Sequence, residues 1–260
     1  MTPVRIGIQV QPQHADFDAM RRAWREAEQL GVDTIFCWDH FHPLYGDPDG
    51  KHFEGITTLA ALAQVTERAQ IGGLVFCNSY RNPELLADAH RTIDHISGGR
   101  AIFGVGAGWF QRDYDEYGYE FGTAPDRLRA LRAALPRIRE RLGKLNPPPL
   151  GPLPLLIGGA GERVTLRLVA LHADMWHGFG GAETYRHKNE ILLGHCAEVG
   201  RDPAEIERTW AIPPDDVGRA DELVAEGVEH LIVGIGGSED GGGYDLAPLR
   251  GLVAWRDARG

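Results

Sequence analysis

The chain has 260 residues, 43% of them hydrophobic and 25% charged, with a formal net charge of −10. This is the balance of an ordinary globular protein; it holds no bilayer-length apolar run, and the acidity argues against a general nucleic-acid binder, which needs a basic surface to displace counterions. Three widely spaced cysteines (37, 77 and 196) and a start, MTPVRIGIQVQ, without a basic-then-apolar leader speak against a disulfide framework and against secretion.

In chain order, short apolar runs alternate with segments of helical period. VRIGIQV (4–10) precedes a helix over 16–31, with Met20, Trp24, Ala27 and Leu30 at helical spacing, Asp16 as N-cap and Gly31 as stop. TIFCW (34–38) is followed by a loop and a helix over 56–68. QIGGLVF (70–76) precedes a helix that starts near Pro83, a favourable first-turn residue. RAIFGVGA (100–107) leads through a long loop to a helix over 127–142, whose basic run reads as a solvated face. PLLIGG (154–159) precedes a helix over 162–173, and DMWHGF (174–179) one over 182–200. IERTWAI (206–212) precedes a short helix near 217–226, and EHLIVGI (229–235) a last one over 245–258.

Eight strand–helix pairs in 260 residues predict an α/β fold, a (β/α)₈ TIM barrel, as one domain over 1–260. A doubly wound open sheet is the rival, but no glycine-rich turn follows the first strand, where its dinucleotide fingerprint would sit. The Pro-rich stretch NPPPLGPLP (146–154) reads as an extended βα connection rather than a domain linker.

Barrel chemistry gathers at the carboxyl ends of strands. Those ends offer Gln9 and Gln11, then Trp38, Asp39, His40 and His42, then Cys77, Asn78 and Ser79, and finally Trp176 and His177. Asp39, His40 and His42 are acceptable metal ligands, but the other ends carry Gln, Asn, Gly and Trp, so no metal is expected. GVGAGW and GGAGER each follow a strand, and the second is expected to enter a helix directly. Glycine lets backbone N–H groups approach a ligand, so two such neighbours would cradle a phosphate. The alternative is that they only relieve crowding. The loop GIGGSEDGGG (234–243) is less suited, because Glu239 and Asp240 repel an anion. Trp38, Phe76, Trp109, Phe110 and Trp176 could line a slot for an aromatic ring.

The stretches LGVDTIFCWDHF, GGLVFCNSYRNPELLA, ISGGRAIFGVGAGWFQRDYDEYGYEFG and PLLIGGAGERVTLRLVALHADMWH resemble, in order, the luciferase-like monooxygenase superfamily, and more closely its coenzyme F420-dependent branch. The likeness runs from residue 5 to about 180. It implies an oxidoreductase that moves a hydride between F420 and a small organic substrate; FMN monooxygenation and F420 binding with little turnover are the alternatives. It implies that Asp39 contacts the cofactor and that His40 handles a proton beside its ring. It places a non-proline cis peptide around Leu74, Val75 and Phe76, with Cys77 and Asn78 edging the ring. Gly106, Ala107 and Gly108, with Gly158, Gly159, Ala160 and Gly161, would hold the phosphate, and Trp176 and His177 would close the far side. Trp109 stands where some deazaflavin dehydrogenases have a glutamate acid. The segment between the fourth helix and fifth strand is shorter than the one that usually helps to cap the substrate pocket. A cytoplasmic location and a possible homodimer complete the expectations.

Overall fold

The computed structural model describes residues 3–238 and 243–259, so the acidic pair Glu239 and Asp240 lies outside the described residues. The chain runs β1 (Arg5–Val10), α1 (Phe17–Gln29), β2 (Thr34–Cys37), α2 (Gly55–Val65), β3 (Gln70–Gly73), β4 (Phe76–Cys77), α3 (Pro83–Ser97), β5 (Ala101–Gly106) and α4 (Gln111–Tyr117). It continues with α5 (Ala124–Leu142), β6 (Leu155–Gly158), α6 (Thr165–His172), β7 (Met175–Gly178), α7 (Ala182–Val199), β8 (Glu207–Ile212), α8 (Ala220–Ala225), β9 (His230–Ile235) and α9 (Ala247–Asp257).

All strand pairs are parallel, and the sheet order β3-β2-β1-β9-β8-β7-β6-β5-β4 closes through a β3–β5 pairing. β3 and β4 are two parts of one stave, so the closed sheet is an eight-staved parallel barrel ringed by helices. The run expected as one strand over 70–76 is broken because the Leu74–Val75 peptide is cis. Gln9 Nε2 donates to the Leu74 carbonyl at 2.6 Å, and the Leu74 N–H donates to Cys37 O at 2.8 Å. Val75 sits in a hollow that glycines leave open: a Cβ on Gly106 or Gly158 would come within 2.7 or 2.9 Å of its methyl groups.

Inside the barrel, Phe36, Leu74, Ile102, Leu156, Met175 and Ile232 form one buried cluster. The apolar outer faces of the strands meet the helices in a larger one that includes Ile6, Ile8, Val10 and Trp24. Such two-sided burial is why the strands read as continuous apolar runs. α5 buries Leu131, Ala134, Leu135 and Ile138 and turns its arginines outward, two of them to Glu84 and Asp88.

Four local expectations need correction. The loop after β5 contains α4, whose seven residues are too few for a helical period to stand out. α6 begins at Thr165 rather than 162, so the GGAGER glycines do not enter it directly. Asp16 makes no capping hydrogen bond; its carboxylate meets Lys51 at 2.5 Å instead. The Pro-rich stretch follows α5 and precedes β6, so it is an αβ connection at the amino ends of the strands. There Asp94 accepts from the Leu150 and Gly151 amides at 2.7 and 3.0 Å. Its shortness therefore takes nothing from the mouth, which the βα loops build.

A two-lobed candidate active site at the barrel mouth

The carboxyl ends of the strands border two cavities of about 500 and 690 Å³ that share Gln9, Leu74, His177, Phe179 and Ala211 as a common wall. The smaller lobe has the broken stave Leu74–Cys77 on one side. Trp38, Asp39 and His40 follow β2, Gly106 to Trp109 follow β5, and Gly158 to Gly161 follow β6. Every residue that the family resemblance singles out borders this lobe except Asn78 and Trp176. Asn78 is buried in a 3₁₀ turn with its Oδ1 unpartnered. Trp176 is fully buried on the outer side of its strand, in edge contact with Trp210 at 5.3 Å, because successive strand residues point to opposite faces. Its Nε1 donates to Gly159 O at 2.9 Å, so it positions that glycine from behind. Phe110 likewise stands outside the lobe's lining.

His40 is held from behind by a buried carboxylate. Its Nδ1 lies 2.7 Å from Asp113 Oδ2, on α4, and its Nε2 has no protein partner. Asp113 is fully buried and accepts the Tyr80 hydroxyl at 2.9 Å and the Phe41 and His42 amides at 3.1 Å each. Burial alone would raise this carboxyl, but His40 and the other donors outweigh it and hold it below the usual carboxylate range. An ionised Asp113 keeps the His40 proton on Nδ1 and leaves the Nε2 lone pair facing outward. Trp38, Trp109 and Phe110 stand edge-on around the ring, with centroids 5.6–5.9 Å away. Nothing in the sequence pairs His40 with Asp113, which lies 73 residues away on a helix too short to anticipate.

Asp39 is committed to the frame. It takes both arms of Arg81, at 2.7 and 2.8 Å, and the Cys77 amide at 2.9 Å. Arg81 also reaches Glu54 at 2.5 Å, whose carboxylate caps α2. This chain of ion pairs ties the end of β2 to β4. Cys77 is a thiol rather than a thiolate, because burial pushes it up to about 11; its sulfur sits 3.1 Å from the Tyr114 hydroxyl. His177 is neutral, pushed down to about 3 by burial, and its Nδ1 pairs with Thr209 Oγ1 at 2.8 Å.

The glycine loops divide their labour. Gly106 and Gly158 make room for Val75, and the Gly159 amide is spent on His177 O at 2.9 Å. The amides of Ala107, Gly108, Ala160 and Gly161 have no partner among the described residues and remain free to donate. A third cleft of about 370 Å³ continues from Ala160 and Gly161 past Arg163 and Lys188, the latter paired with Glu162 at 2.5 Å. No group of three or more His, Cys, Asp or Glu that could hold a metal occurs among the described residues. Asp39, His40 and His42 turn to separate partners, Arg81, Asp113 and Glu116. Nor is any helix among the described residues long and apolar enough to cross a membrane.

Comparison with known proteins places this geometry in a family. The F420-dependent glucose-6-phosphate dehydrogenase of Amycolatopsis mediterranei is 34% identical over 116 residues, 44% of this chain and 34% of that protein. The alignment thus spans about a third of that relative's length. An uncharacterized protein of Mycobacterium bovis is 27% identical over 244 residues, covering 82% of this chain and 86% of its own. The solved structure of an F420-dependent secondary alcohol dehydrogenase, in complex with an F420-acetone adduct, superposes with a TM-score of 0.80 at 17% identity, covering 90% of this chain and 93% of that one. The likeness extends past the limit of about 180 read from motifs: residues 1–236 match the family described as luciferase-like monooxygenase, and the chain belongs to that family.

Proposed function

We propose that this chain is an F420-dependent oxidoreductase that moves a hydride between the deazaflavin and a small organic substrate. The observation that carries the reading is His40, fixed by a buried carboxylate with its free Nε2 at the wall of a lobe of flavin-like size. The kinship with F420-dependent enzymes supports the same reading.

The lobe fits such a group on its own terms. The broken stave and Trp38 offer apolar flat surface that would suit a ring, and the glycine-seated Val75 fills the floor of the lobe. The amides of Ala160 and Gly161 suit a phosphate, and the cleft past Arg163 and Lys188 suits further negative charge. A bound deazaflavin supplies two-electron hydride chemistry. The chain's own work is to orient and to manage a proton. In the oxidising direction His40 Nε2 takes the substrate's hydroxyl proton, and in the reducing direction it returns one. Asp113 keeps that nitrogen aimed and stabilises the imidazolium. Trp109 cannot exchange a proton at its position, so the acid–base task falls to His40.

The test is a pair of fluorescence-monitored binding titrations with oxidised F420 and with FMN. Tighter F420 binding is expected. A preference for FMN would turn the reading to a flavin monooxygenase, checked by oxygen uptake, and binding of neither would overturn it.

A further inference from the structure

The larger lobe meets the smaller one across Gln9, Leu74, His177, Phe179 and Ala211, so it can hold the body of a substrate whose reacting end reaches over that wall toward His40, which lines only the smaller lobe. The larger lobe's lining is neutral. One wall is the column Gln9, Gln11 and Gln13, with His14 beyond it. The other is apolar, with Leu74, Ala211, Ile212 and Ile232. No Lys, Arg, Asp or Glu lines it among the described residues, and residues 239–242 carry no cation in the sequence. Nearby cations are already engaged: Lys51 meets Asp16 at 2.5 Å, and Arg219, in the adjoining cleft, meets Asp216 and Glu222 at 3.2 and 3.0 Å.

A phosphomonoester entering this lobe would shed water without gaining a counter-charge, which is strongly unfavourable. A neutral molecule meets the opposite situation. It needs no counter-charge on entering, and Gln11 is 7% exposed with its Oε1 closed off beside Gly236. Tyr45 and Phe179, 54% and 70% exposed, stand in the lining as aromatic surface for an apolar body.

We propose that the larger lobe takes an uncharged, ring-sized organic molecule and turns away phosphorylated substrates. The inference rests on the smaller lobe being the cofactor site. It separates this chain from the glucose-6-phosphate dehydrogenases it resembles, whose named substrate carries a phosphate.

Ligand-observed NMR titration of the purified chain, without and with F420, compares cyclohexanol with cyclohexyl phosphate, one ring carrying either a hydroxyl or a dianion. Cyclohexanol is expected to bind at least about tenfold more tightly than the ester. Equal or tighter binding of the ester, or no binding of cyclohexanol, overturns the proposal. Pro214→Arg adds a cation at an exposed position of the lining, so it tests the charge filter directly. It is expected to strengthen the ester roughly fivefold, and no gain means that charge is not the filter. Failure of F420 to bind with the alcohol preference intact overturns the cofactor reading alone. F420 binding with the preference reversed overturns the lobe's assignment alone.

Discussion

The two ends of the barrel treat their polar groups in opposite ways. At the amino end, Arg100 donates to Ser97 O, Ala63 O, Thr66 O and Oγ1, and Ala69 O, at 2.6–3.2 Å. Asp94 accepts three amides there, and His230 is held between Thr34 and Glu207, each at 2.8 Å. At the mouth, His40 Nε2 and the amides of Ala107, Gly108, Ala160 and Gly161 have no partner among the described residues. A barrel closed tightly at one end can leave donors and acceptors unspent at the other, and those are the groups a ligand can use.

The contrast predicts that substitutions at the mouth change activity or affinity and leave stability alone, while those at the amino end do the reverse. The largest effect is expected from His40→Ala: turnover falls by about 10²–10⁴-fold with F420 affinity nearly unchanged. Unchanged turnover would remove His40 from proton transfer. Arg100→Met is expected to cost about 3 kcal/mol, lowering Tm by about 6–10 °C without changing kcat at 20 °C. A loss of kcat with Tm intact would break the division between the ends.

Asp113→Asn sharpens it from the other side. It keeps the shape and the amide contacts but places an NH₂ or a weaker acceptor against His40 Nδ1. Turnover is expected to fall roughly a hundredfold, with the pH at which the rate turns over displaced. A rate loss without a displaced profile would reduce Asp113 to a structural role. Gly161→Val places a side chain where a Cβ already meets Thr165 Oγ1 at 2.8 Å, so F420 affinity is expected to fall about tenfold, or about 1.4 kcal/mol. Unchanged affinity puts the phosphate elsewhere.

The last effect is a slope. Burial drops the His90 ring from 6.5 to about 4, and its Nε2 has no partner. The unfolded chain therefore binds a proton that the folded one resists. Stability is full above about pH 6.5 and is lost as pH falls toward 4, at up to about 1.4 kcal/mol per pH unit. His90→Phe, which keeps a ring beside Phe103 at 3.9 Å, is expected to flatten that acid limb of Tm against pH without altering turnover. An unaltered limb would assign the acid sensitivity to other groups.

Much of this molecule is local and can be read from its residues in order. Strand and helix alternate because each burial pattern has its own period, and parallel strands covered on both faces leave continuous apolar runs such as TIFC and LLIG. The carboxyl-end rule then brings FCWDHF and the two glycine loops to one mouth before any contact is known. What local reading gets wrong depends on direction or distance. Trp176 and His177 are adjacent, yet only His177 borders the cavity, because the facing of each strand residue depends on how the strand registers in the closed barrel.

The sequence by itself determined the element order, the barrel and the family to which its motifs belong, since periodicity and turn chemistry act over a few residues. That the Pro-rich segment lies at the far end from the site already follows from the element order, with a helix before it and a strand after it. Only the tertiary structure decided that Asp113 aims His40, that Asp39 belongs to Arg81, and that Gly106 and Gly158 serve Val75. The reason is physical: these partners come together through barrel closure across dozens of residues, and a buried charge is defined by whatever closure sets beside it.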